Sequence, residues 1–190
     1  MRKNKINNKI KTVLLLLFVS VSAFAQKQRN VFIDFLGSGT LGAGVYYDTR
    51  FGENTKWGGR IGLGYTYSTD TNLFESQPTK TQGVNIPLAV NYLIGNKIHN
   101  LEMGLGFNYS IYHASYNYLG KTTKSSENLS GLATFLDLGY RYQSSADGVM
   151  FRIGVTPTLP LTDYHSSVSK ERNTSRGIYI NPYVSVGINF

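Results

Sequence analysis

Cysteine is absent from all 190 residues, which excludes a disulfide framework, a thiolate nucleophile and a thiolate metal site. Beyond residue 25 no apolar run is long enough to cross a membrane as a helix, so any embedding must use strands. Acidic residues are scarce, 11 against 19 lysines and arginines, for a formal charge of +8. That imbalance sits largely at one end. Arg2, Lys3, Lys5, Lys9 and Lys11 are five of the basic residues, and no acidic residue accompanies them. Without these five the charge falls from +8 to +3. No basic stripe with interleaved stacking aromatics remains, which argues against nucleic acid as a partner.

The basic cluster is followed by an apolar core from Val13 to Val21 and by Ala23-Phe24-Ala25. This is the pattern of a secretory signal peptide, expected over residues 1–25 with cleavage before Gln26. A membrane anchor would need about 20 apolar residues, and Ser20 and Ser22 interrupt a run already too short. Residues 26–190 are long enough for one domain.

Throughout that domain the apolar residues recur with period two, the spacing of strands. Trp57, Gly59, Ile61, Leu63, Tyr65 and Tyr67 fall on one face, with Gly58, Arg60, Gly62, Gly64 and Thr66 on the other. Val84, Ile86, Leu88, Val90 and Tyr92 oppose Asn85, Pro87, Ala89 and Asn91. Leu101 to Ile111 alternate with Glu102, Gly104, Gly106, Asn108 and Ser110. Similar segments surround Leu136-Asp137-Leu138, Phe151-Arg152-Ile153 and Val184-Ser185-Val186, and two weaker ones surround Ile33-Asp34 and Val45-Tyr46-Tyr47-Asp48. The pattern predicts eight strands of about 9–12 residues, the length of a tilted membrane-spanning strand.

Connection lengths predict the orientation. Short turns are expected at 52–56, 94–98 and 143–148, and long polar loops at 68–82, 113–130 and 160–177. Only the first hairpin, at 37–40, is short on the loop side. Short periplasmic turns opposite long surface loops are the signature of an outer-membrane barrel. Pro87, Pro157 and Pro182 are expected toward the outer ends of their strands, where water satisfies a lost ladder bond.

An interior only wide enough for side chains cannot hold the apolar face, which carries Trp57, Tyr65, Phe107, Tyr109, Phe151 and Phe190. That face is therefore expected to meet lipid, and the face of glycine, serine, threonine and asparagine to line the lumen. A soluble barrel or a β-sandwich is the structural alternative. By the same parity the lumen receives Asp34, Asp48, Glu102 and Asp137 together with Arg50, Arg60, Arg141 and Arg152. Most lie within about 10 Å of the turn end at roughly 3.3 Å per residue. Four acids facing four arginines predict a structural ion-pair layer in the lumen, with each arginine set between carboxylates. A proton or ion path is the functional alternative.

The final segment, Tyr183 to Phe190, ends on an aromatic with alternating apolar residues behind it. It looks like the terminal strand signal by which outer-membrane barrels are recognised for assembly. Val84-Asn85-Ile86-Pro87-Leu88-Ala89-Val90-Asn91-Tyr92-Leu93-Ile94-Gly95-Asn96-Lys97, with Leu101-Glu102-Met103-Gly104-Leu105-Gly106, resembles a family of small, mostly uncharacterised outer-membrane β-barrel proteins of Gram-negative bacteria. The segments Leu138–Gln143 and Phe151–Pro157 resemble it too. The resemblance covers nearly all of 26–190 and is similar to the OmpX-like eight-stranded class. It implies an all-β, antiparallel, up-and-down transmembrane barrel in the cell outer membrane, and supplies no catalytic residue.

Chemistry would have to come from His99, His113 and His165. His113-Ala114-Ser115 and His165-Ser166-Ser167 place a histidine and a serine on one face of an extended strand. No acid is placed to orient either histidine, and Asp163 is only a sequence neighbour. The histidines are too scattered for a metal centre, and the glycines are spaced as strand residues rather than as a phosphate loop. The expectation is a non-enzymatic, closed barrel without cofactor or metal, with a structural or surface-interaction role that includes serving as accessory subunit of a larger outer-membrane complex. Its partners would be outer-membrane lipid and, through the long loops, protein or glycan. The alternatives are a small passive pore and a lipid A-modifying enzyme.

Overall fold

Strands form where the alternation runs: β1 (Arg29–Phe35), β2 (Gly42–Arg50), β3 (Trp57–Thr71), β4 (Pro78–Gly95), β5 (His99–Asn117), β6 (Lys124–Gln143), β7 (Gly148–Pro160) and β8 (Tyr179–Asn189). The computed structural model describes residues 28–37, 42–53, 55–71, 78–96, 98–117, 124–144, 147–162 and 178–190. The leader expected over 1–25 and the histidine at 165 lie outside them. Each strand pairs antiparallel with its sequence neighbour, and β8 closes onto β1 from Asn30↔Asn189 to Phe35↔Val184. Closure leaves no bare strand edge inside the barrel wall, which is what a hydrocarbon surrounding demands.

The turn between β4 and β5 shows how register is set at the turn end. Gly95 takes a φ of +154°, and Asn96 Oδ1 accepts hydrogen bonds from the backbone N–H of Ile98 (2.9 Å) and His99 (2.6 Å). An asparagine side chain thus replaces backbone acceptors in a tight reversal. It places Ile94 opposite Leu101 and Leu93 opposite Glu102.

The apolar face points outward. Leu63 and Leu105 are 59% and 61% exposed, whereas Asp48, Glu102, Arg141 and Arg152 are each 0% exposed. The closed antiparallel barrel agrees with the expected fold class, and three details differ from expectation.

First, the strands that flank the expected loops 68–82 and 113–130 are longer than about 12 residues. β3, β4, β5 and β6 contain 15, 18, 19 and 20 residues. Much of the expected loops 68–82 and 113–130 is paired strand, reaching Thr71↔Pro78 and Asn117↔Lys124. Ladder pairing continues past the last apolar alternation, so periodicity marks the end of the apolar band and not the end of the strand. Second, Pro87 is buried in mid-β4 rather than near its outer end. Pairing with β3 breaks off at Ile61↔Leu88 and resumes at Gly64↔Asn85, as expected for a residue without an N–H. Pairing of β6 with β7 breaks in the same way beside Pro157, between Phe135↔Thr158 and Leu138↔Val155.

Third, the lumen also holds large side chains. Phe32, Phe135 and Met150 are buried inside, beside Tyr46 and Tyr183, which alternation already assigns to the inward face. They fit because glycines face them. A methyl group on Gly62 would collide with the ring of Tyr46, one on Gly106 with Phe135, and one on Gly139 with Tyr183. Large inward residues over small ones are how a narrow barrel fills its taper.

Candidate functional site

The eight charged residues singled out from the sequence all point into the lumen and touch one another. Arg50, at the end of β2, is 2.6 Å from Asp48 on the same strand. Asp48 also meets Arg141 of β6 at 2.9 Å, and Arg141 reaches Glu102 of β5 at 3.5 Å. Glu102 is shared further by Arg152 of β7 at 2.8 Å and by Arg60 of β3 at 3.6 Å. Arg60 pairs closely with Asp137 of β6. Arg152 closes the set, 3.6 Å from Asp137 and 4.0 Å from Asp34 of β1. Every strand except β4 and β8 contributes, and the four carboxylates and four guanidiniums sum to zero formal charge.

Neutral side chains complete the site, two of them from the remaining strands β4 and β8 and one from β7. Asn91 of β4 donates to Asp48 Oδ2 and, at 3.3 Å, to Glu102 Oε1, while its own Oδ1 accepts from Arg50 at 2.6 Å. Ser185 of β8 donates to Asp34 at 3.1 Å and accepts from Arg152 at 3.2 Å. Thr156 donates to Asp137 at 2.7 Å. Arginine's planar, many-donor head is what lets one residue bridge several acceptors in this way. Arg152 also lies over two aromatic rings, 4.9 Å from the Phe32 centroid and 4.8 Å from that of Tyr183. Phe32 in turn stacks on Tyr46 at 5.2 Å and 8°. Tyr46, Phe32, Tyr183 and Arg152 stand on the contiguous strands β2, β1, β8 and β7, and Arg152 gains cation–π attraction from two rings.

Two features depart from the expected layer. Arg50 has one carboxylate neighbour rather than two. Its other acceptors are Asn91 and, at 3.2 Å, the backbone carbonyl of Lys56. The set is also deeper than a layer at the turn end, since Asp137 lies six residues before the end of β6 at Gln143 and Asp34 five after the start of β1 at Arg29. Adjacent strands are staggered in a tilted barrel, so residues equally far from their turns sit at different heights.

Sequence parity placed Asn91, Thr156 and Ser185 on the inward face, but nothing in their local pattern marks them as partners of charge. Phe32 was concealed for a different reason. It lies in an unbroken apolar run from Val31 to Ile33, so its inward face is invisible to alternation.

The histidines do not join this site. His99 Nδ1 is 2.6 Å from the Tyr140 hydroxyl, on the outer surface at the turn end. His113 lies within β5 rather than at the start of a loop, and its Nδ1 is 2.9 Å from Asn128 Oδ1 across the β5–β6 pair. Among the described residues no three histidine, cysteine or acidic side chains are grouped to hold a metal ion. What the described lumen contains is a set of mutually neutralising charges tied to neutral hydroxyl and amide side chains.

No protein-family model matches the chain. No curated protein matches its sequence. Among solved structures it is similar to a major outer membrane protein from Thermus thermophilus, with 13% identity, a TM-score of 0.56, and 86% of this chain and 98% of that chain covered. It is similar also to Ail, the attachment invasion locus protein of Yersinia pestis, with 15% identity, a TM-score of 0.51, and 87% and 99% covered. At such identities the likeness is one of fold. The chain has the fold of the small eight-stranded β-barrels of the bacterial outer membrane.

Proposed function

We propose that the protein is a non-enzymatic, closed scaffold of the cell outer membrane whose projecting end is an interaction surface for protein or glycan, a role that includes accessory duty beside a larger membrane complex. The observation that carries the closed state is the lumenal network. Eight ion pairs tie six strands together across the bore, and the Phe32, Tyr46 and Tyr183 rings flank it. Paired charges attract each other more strongly than a hydrated ion in transit, so a bore filled in this way does not conduct.

The interaction surface is supported by the uneven strand lengths. β7 pairs with β6 only as far as Ala133↔Pro160, while β6 pairs with β5 out to Lys124. Residues 124–131 of β6 therefore present a strand edge without a partner among the described residues. Nearby, Tyr67, Gln82, His113 and Asn128 form one exposed or half-exposed outward row across β3 to β6. Aromatic, amide and imidazole groups in such a row suit a glycan or a polar protein surface.

Planar bilayer recordings on the purified barrel test the closed state, and pull-down from gently solubilised membranes tests the surface. Almost no conductance and a stably associated large partner are expected. Steady, well-defined channels whose ion selectivity changes in Glu102→Ala, without loss of stability, would instead make the lumen a passive pore.

A further inference from the structure

At the turn end, carboxamides occupy inward positions of four strands. Asn30 is the second residue of β1, Asn100 the second of β5, Gln143 the last of β6 and Asn189 the last of β8. Strand-end residues facing an uncovered bore would meet water, yet none of the four is more than 5% exposed. The mouth is therefore covered. Two hydrogen bonds cross it between parts of the wall that are not neighbours. Gln143 Nε2 donates to Gln28 Oε1 at 3.0 Å, and Asn189 Nδ2 donates to the Ser144 carbonyl at 2.9 Å. Gln28 immediately precedes β1, and both β8 and β7 lie between β1 and β6 around the wall, so the first bond spans the bore.

The backbone of Gln28 is unusual. Its φ is +53°, in the left-handed region that is unfavourable for a residue with a side chain. Such a conformation persists where the contacts around it impose it. The Gln28 carbonyl accepts from the N–H of Arg50 at 3.3 Å, and Arg29 beside it is bonded both ways to Phe190, at 3.0 and 2.9 Å. The far anchor is fixed too, since the Gln143 N–H donates to the Ile98 carbonyl at 3.0 Å. Nearby, Asn30 Oδ1, Asn100 Nδ2, Gln143 Oε1, Arg50 Nε and Arg141 Nε are buried with no hydrogen-bond partner among the described residues. These groups are gathered at one place. Asn30, Arg50 and Arg141 all donate to Asp48 Oδ1, and Asn100 is the register partner of Arg141. Buried donors and acceptors left over in this way take water as their partner.

We propose that the Gln28 side chain is a latch that closes the turn-side mouth of the lumen over a small hydrated pocket, and that its release admits small solutes from that side as far as the ion-pair layer. One neutral hydrogen bond holds the latch across the bore and a left-handed backbone opposes it, so the closed and open states lie close in free energy. The latch is separate from the seal made by the ion pairs, which stays in place when the mouth opens. Bilayer conductance reads that seal, whereas the latch is read by access to the turn end of the lumen alone.

The chain has no cysteine, so Asn100→Cys and, as a second probe, Asn30→Cys each put a single thiol beneath the latch. Each variant is first checked for heat-dependent gel migration. The full-length barrel in detergent is then treated with methyl methanethiosulfonate, and the modified fraction is followed by intact-mass spectrometry. Slow labelling is expected, becoming roughly five- to tenfold faster with Gln28→Ala, the effect of losing one neutral hydrogen bond. Gln143→Ala should give the same increase, and the two changes together no more, because they remove one and the same bond. Ser110→Cys, farther along β5 on the same inward face, controls for general loosening, and its rate should not change. Labelling already fast with Gln28 in place, slow labelling in every latch variant, or an equal rise at Ser110→Cys would each overturn the proposal.

Discussion

Glu102 touches Arg60, Arg141 and Arg152, more guanidiniums than any other described carboxylate in the lumen, whereas Asp34 has one described guanidinium neighbour, Arg152 at 4.0 Å. Removing Glu102 leaves three buried cations short of a partner, and breaking buried pairs of this kind costs about 3–5 kcal/mol. Glu102→Ala is therefore expected to lower the unfolding midpoint in detergent far more than Asp34→Ala, as read by heat-dependent gel migration or urea titration. Equal losses would mean that the network does not centre on Glu102. The glycines facing the large lumenal residues carry a second prediction. Gly62→Ala drives a methyl group into the Tyr46 ring, an overpacking cost of about 1–3 kcal/mol. Combining it with Tyr46→Ala should be less damaging than the sum of the two, because the second change makes room for the first.

At the scale of the strand, the same outward face passes from lipid to water. Leu105 lies in the apolar band and Gln82 beyond it, level with Tyr67 and His113. Leu105→Arg is expected to cost about 2–4 kcal/mol and Gln82→Arg about 0–1 kcal/mol, the depth dependence of a charge on a barrel's lipid face. Reversible folding into lipid vesicles measures both, and a large loss from Gln82→Arg would move the membrane boundary outward along β4. The extended hairpins were only partly legible in the sequence. Period two exposed each strand where one side is apolar and the other polar. Past that zone Thr79, Thr81, Ser115 and Ser126 give no alternation, yet their backbones remain paired. The broken pairing beside Pro87 and Pro157 likewise follows from chemistry written in the sequence, but its height in the wall does not.

For the whole molecule, closure by β1 against β8 makes unfolding a cooperative loss of the barrel rather than the peeling of an edge. Unheated samples in detergent are expected to migrate differently from boiled ones and to show mainly β circular dichroism. A soluble monomer obtained without detergent would contradict a wall whose outer face carries Leu63, Leu105 and Phe107.

Alternation and connection length alone determined the strand number, the antiparallel order and the side of each strand that faces lipid, because a strand's side chains alternate regardless of what surrounds it. The same parity identified the eight lumenal charges. Only the tertiary structure decided which acid meets which arginine, since partners such as Asp48 and Arg141 stand on strands that are not neighbours and their heights depend on stagger. It alone brought Phe32 and Tyr183 against Arg152. Both follow from register between strands, a quantity that no single strand's sequence contains.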